Sequence, residues 1–177
     1  DSVGPRGGVG RLDMMDGNLG DHNCFSKWLL EWITPTVVAS GRQAVSLGPS
    51  ATTGDAVLIM PGISLGDPSA EFFMVQNRSR TGNDALIPAD GLLVWHVDAT
   101  LDGAGYDFLY NNSFTSHKLL RLMEADGLEE IERGLPANAG AAPSGGAGAT
   151  FTPGRRPVRK ELQPGRKKAV NARGVTV

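Results

Sequence analysis

A single cysteine, Cys24, in 177 residues rules out a disulfide within the chain and any cysteine-based zinc site. With no histidine or other base near it in sequence, Cys24 is expected to be a small buried residue. Histidine is scarce too. His22, His96 and His117 are all there is, and no two stand four apart, so the H-E-x-x-H motif that sets two imidazoles on one helical face is missing. No G-x-S-x-G elbow occurs, which leaves serine nucleophiles without support. No apolar run is long enough to span a membrane, and Asp1-Ser2 opens neither the basic nor the apolar part of a signal peptide. A mature or truncated soluble chain is the expectation from both.

Glycine and proline are plentiful, with 24 and 11 residues, whereas aromatics make up only 6%. That balance favours turns and strands over a helical bundle, hence an α+β class that is mostly β. Charge is unevenly spread. Residues 151–177 hold eight Lys or Arg against Glu161, a net +7, which leaves −9 on the first 150 residues. Aromatics for base stacking are absent from that tail apart from Phe151, so no nucleic-acid partner is expected.

Along the chain, residues 1–10 read as a Gly- and Pro-rich surface loop, followed by a tight turn at Leu12-Asp13-Met14-Met15-Asp16-Gly17-Asn18. The default for Met15 is a turn methionine packed into the core. Phe25, Trp28, Leu29 and Trp32 then share a helical face, with Lys27 and Glu31 on another, Asn23 or Ser26 as N-cap and Pro35 as the stop. Strands are expected at 42–47, 56–60, 71–77 and 91–98, in an antiparallel module of four to six. The run 118–124 reads as strand or helix. Residues 102–116 form a polar, aromatic loop, and 136–150 have almost nothing to bury.

Two clusters have metal-binding chemistry. Asp13, Asp16, Asn18 and Asp21 form an acidic turn with hard oxygen donors suited to calcium, although Gly20 and Lys27 break EF-hand spacing, and a solvated turn is the simpler reading. His96 and Asp98 lie two apart on one strand face; with Glu71 on a neighbouring strand they make either a cation site or a His-Asp hydrogen bond that pins register.

Four blocks in order resemble secreted metallopeptidases of the immune inhibitor A family. The turn and helix, GVGRLDMMDGNLGDHNCFSKWLLEWITP, are similar to the family's G-x-W-D-L-M-x-x-G and S-x-W-x-K-x-x-L-G-W-I-x-P, with Leu12 in place of the usual Trp. Residues 71–78 resemble E-F-F-L-V-E-N-R, 91–98 resemble G-L-L-I-W-H-I-D, and His117-Lys118-Leu119 with Glu124-Ala125-Asp126-Gly127 resemble H-K-L and E-A-D-G. The resemblance implies the end of a zincin catalytic domain (1–36: Met-turn and short helix), an antiparallel β-rich module (37–134) and a Gly/Pro-rich, basic tail (135–177). It implies zinc as cofactor, a protein or peptide substrate and secretion. Met15 would be the Met-turn residue that packs beneath the zinc without binding it. The zinc ligands and general base would lie upstream of residue 1, so no catalytic residue is expected within this chain; structural calcium is frequent in such enzymes. A noncatalytic β-sandwich adhesion or binding module, gripping a protein or glycan through the 102–116 loop, is the alternative.

Overall fold

The computed structural model describes residues 8–17, 20–60, 68–112 and 117–141. A mixed sheet of five strands dominates them, in spatial order β1 (Thr36–Val38), β2 (Ala56–Ile59), β3 (Glu71–Arg78), β4 (Gly91–Asp98) and β5 (Leu120–Leu122). One six-residue helix, α1 (Cys24–Leu29), and two single 3₁₀ turns at Gly82–Asp84 and Ile131–Arg133 complete the regular structure. The class is α+β and mostly β. No helix among the described residues is long and apolar enough to cross a membrane.

β3 and β4 form the longest ladder, pairing from Glu71 opposite Asp98 to Arg78 opposite Gly91. Their alternation divides the apolar residues between two faces. Phe72, Met74, Leu93, Trp95 and Val97 join Leu58, Leu120 and Leu122 on one; Val75 joins Val38, Val57 and Ile59 on the other, flanked by half-buried Phe73, Leu92 and Val94. Val9, Leu12, Cys24 and Phe25 pack into the first cluster, so the turn at 8–17 and α1 cover that face.

The antiparallel expectation holds from β2 to β5, but β1 runs parallel to β2, with Thr36 opposite Val57 and Val38 opposite Ile59. All four β2 residues are buried, and a strand buried on both faces needs neighbours at both edges. The 42–47 stretch is not a strand. Val45 and Leu47 pack onto the second face, and the Leu47 carbonyl accepts from Asn77 Nδ2 at 3.0 Å. Its alternation reflects one-sided packing of a loop. The 118–124 run is a strand at Leu120–Leu122; just beyond it, Glu124 accepts from the Glu130 and Ile131 amides, each at 2.9 Å. Residues 136–141 do bury something: Ala141 is inaccessible, and the Ala137 amide donates to the Gly10 carbonyl at 2.9 Å.

In α1, Asn23 is the N-cap, its Oδ1 accepting from the Ser26 amide at 2.8 Å. Phe25 and Trp28 turn inward onto Phe72, the Trp28 ring edge-on at 5.7 Å. The rest of the expected face does not hold. The helix stops before Glu31, whose φ of 59° bends the chain, and Leu29 and Trp32 are left exposed. Lys27 is buried instead, because its ammonium meets the Asp21 carboxylate and donates to the Ser50 carbonyl at 3.0 Å.

Candidate functional site

The turn carrying Met15 is stapled by two carboxylates. Asp13 Oδ1 accepts from the Met15 amide at 2.8 Å, while Oδ2 accepts from the Asn23 amide and side-chain amide at 2.5 and 2.6 Å. Asp16 Oδ2 accepts from the Val9 and Arg11 amides at 2.7 and 2.8 Å. From below, the fully buried Arg78 donates to the Leu12 carbonyl at 3.1 Å and forks onto Asp84, with Nε to Oδ2 at 2.6 Å. Asp84 Oδ1 also accepts from the Asp21 amide at 2.8 Å. Gly20 (φ 85°) passes against this pair, where any Cβ would strike the guanidinium. The turn and the helix entry are thus clamped to β3.

Met15 departs from the expected packing. It is 62% exposed and borders an open cleft of about 630 Å³ between the turn, α1 and the segment around Phe108 to Asn112. Ser26 and Leu29 line one wall; Tyr110 and Asn111 line the other. The loop that supplies this wall is an ordered excursion through residue 112: Leu101 bridges Phe108, and Asp102 Oδ1 accepts from the Ala104 and Tyr106 amides at 3.0 and 3.2 Å. Those N–H groups, that of Tyr106 foremost, hold the Asp102 carboxyl below the usual carboxylate range.

The acidic turn is not gathered around a cation. Asp13 and Asp16 point their oxygens at backbone amides, Asp21 is paired with Lys27, and Asn18 lies outside the described residues. The His96-Asp98-Glu71 trio also separates. His96 Nε2 meets Glu71 Oε1 at 2.9 Å across the β3–β4 ladder, while Asp98 turns to His117, with Nε2 to Oδ2 at 2.5 Å. Neither the three-residue cation site nor the His96–Asp98 bond is formed. Asp98 Oδ1 accepts from the Thr100 hydroxyl at 2.6 Å, and the His117 ring stacks on Tyr110 at 3.9 Å. Burial pushes the Asp98 carboxyl up, but the hydrogen bonds from Thr100 and His117 outweigh it and hold it below its ordinary value. Sequence reasoning missed this pair because 19 residues separate its members. The only signal was that both fall in motif blocks.

Among the described residues no three of His, Cys, Asp and Glu converge on one point. Each of the three imidazoles has a different neighbour: Trp32 for His22, Glu71 for His96 and Asp98 for His117. This donor set does not fit zinc, which needs three ligands on a common centre. Cys24 offers nothing in their place, since burial pushes its thiol up to about 12 and keeps it protonated at neutral pH.

Comparison with protein-family models, with curated proteins and with solved structures returns no match.

Proposed function

We propose that this chain is part of a secreted, zinc-dependent metalloendopeptidase resembling immune inhibitor A, with its zinc ligands and general base supplied by sequence outside the chain. The observation that carries the reading is the coincidence between the motif letters and the buried polar contacts. Asp13 staples the turn, Lys27 pairs with buried Asp21, Arg78 forks onto Asp84, Asp98 meets His117, and buried Lys118 pairs with Glu132 at 3.0 Å. Asp13, Lys27, Arg78, Asp98, His117 and Lys118 occupy positions that the quoted patterns specify by letter, and Asp21, Asp84 and Glu132 are the partners they hold. Resemblance by chance has no reason to select residues that hold the fold together. One departure points the same way. The glycine of L-G-W-I-x-P falls at Glu31, whose positive φ is the conformation that glycine adopts without cost.

In this reading the exposed Met15 and its cleft receive the missing zinc-binding portion, and the chain's own contribution is a rigid turn on which that portion rests. In this reading the zinc ligands and the general base lie outside the chain, so the chain alone hydrolyses no peptide bonds. Casein or fluorogenic-peptide turnover that needs zinc and survives repurification would overturn this. The upstream coding DNA is the positive test. An in-frame H-E-x-x-H supports the peptidase, whereas a start codon and signal peptide in its place would favour a noncatalytic binding module.

A further inference from the structure

We propose that the groove at the foot of Trp32 is a binding site for a neutral pyranose sugar. Trp32 is 61% exposed, an unusual cost for the largest apolar side chain, and it belongs to neither core cluster. Its placement is specific. Glu31, just before it, sits in the left-handed region at φ 59°, a backbone strain of about 1 kcal/mol for a residue with a Cβ. That bend carries the indole off the end of α1, away from the face followed by Phe25 and Trp28. The ring is held there edge-on by His22, at 5.4 Å and 74°. The bend is the left-handed cap that ends α1, the Glu31 amide donating to the Trp28 carbonyl and the Trp32 amide to the Lys27 carbonyl, each at 2.9 Å, and it sets where the indole stands.

Beside the indole lies a groove of about 270 Å³, close to the ~300 Å³ lower bound of small-molecule sites and suited to one ring-sized ligand. Thr34, Thr36 and Ser46 line it, as does Thr53, whose hydroxyl donates to the Pro49 carbonyl at 3.1 Å and accepts from the Asp55 amide at 3.2 Å; among the described residues Asp55 is its one ionisable group. Asp55 is anchored, its Oδ2 accepting from the Gly48 amide at 2.9 Å.

The chemistry selects the ligand. With a carboxylate and no Lys or Arg among the described lining residues, phosphate, sulfate and sugar acids are disfavoured. Its hydroxyls suit a lipid chain poorly. A pyranose has an apolar C–H face that rests on an indole and a rim of hydroxyls that donate to a carboxylate and exchange hydrogen bonds with Thr and Ser. Bonds from sugar hydroxyls to Asp55 are charge-assisted and stronger than neutral ones.

The test is tryptophan fluorescence and calorimetric titration of the full chain with cellotriose, maltotriose and N-acetylchitotriose, with sialyllactose as the anionic control. The expected result is saturable binding of at least one neutral trisaccharide, with Kd on the order of 1 mM, and none for sialyllactose. Trp32→Ala should weaken binding at least tenfold and Thr36→Val severalfold, with far-UV circular dichroism unchanged; Trp28→Phe should retain it. Absence of saturation by all three neutral sugars at ~20 mM overturns the proposal. So does binding that survives Trp32→Ala, or a concentration-dependent Trp32 blue shift without sugar, which would assign the patch to self-association.

Discussion

The two faces of the sheet keep their polar groups in opposite ways. On the face covered by the turn and α1, Arg78, Gln76 and Trp95 are fully buried, and each polar atom they bring has a dedicated partner. Gln76 Oε1 accepts from both the Cys24 amide and the Trp95 indole N–H. On the other face the pairs His96–Glu71 and Arg121–Glu129 keep contact with water, and Phe73, Leu92 and Val94 are only half-buried. The difference separates groups that fix the fold from groups that decorate it. Water can replace a lost partner on the second face and cannot on the first.

The largest expected effect comes from orphaning a charge on the covered face. Asp84→Ala leaves the Arg78 guanidinium buried without its counter-ion and should cost about 3–5 kcal/mol in urea denaturation. Replacing the pair together, as Arg78→Met with Asp84→Leu, should cost less, and a double mutant no better than Asp84→Ala would refute the desolvation argument. Next is a comparison of neighbours on β3. Phe72→Ala, on the covered face, should lose about 3–5 kcal/mol, whereas Phe73→Ala should lose roughly 1–2 kcal/mol. Equal losses would show that the second face is sealed by something the described residues do not include.

A smaller effect concerns acid. With its carboxyl held below the ordinary value in the folded chain, Asp98 contributes stability that is present above the unfolded value of ~3.9 and lost as pH falls through the folded one. Asp98→Asn should therefore lower stability near neutral pH and flatten the acid limb of the Tm profile; His117→Ala, removing one of its donors, should do so in part. An acid limb unchanged by Asp98→Asn would remove the pair's structural role. The smallest effect has the opposite sign. Glu31→Gly relieves the left-handed strain and should raise stability by ~0.5–1 kcal/mol, less what the added freedom of the unfolded chain takes back.

Local chemistry was readable in the sequence wherever it decided the outcome. β2, β3 and β4 were legible because dense apolar runs end at Gly, Pro, Asn or Asp, and the Asn23 cap because its reach is three residues. β1 was not, since three residues after Pro35 carry no period, and its parallel pairing depends on where the following loop lands. Lys27 misled because its spacing put it with Glu31 on a face other than the apolar one, while the partner that mattered lies six residues upstream across a turn. At the candidate site, the Asp13-Met15 turn could be seen, but not the direction of Met15. That direction follows from two carboxylates gripping amides on the turn's inner side, a three-dimensional arrangement with no linear trace.

The parallel seam at the sheet's edge bears on how the molecule can be divided. Thr36–Val38 shields the open side of Ala56–Ile59, four residues that never see solvent in the intact chain. A shortened version that starts after residue 38 would present that ribbon to its neighbours, and bare apolar ribbons polymerise. Expression trials of the strand-rich portion alone should therefore retain the residues from Thr36 onward, or accept inclusion bodies as their product.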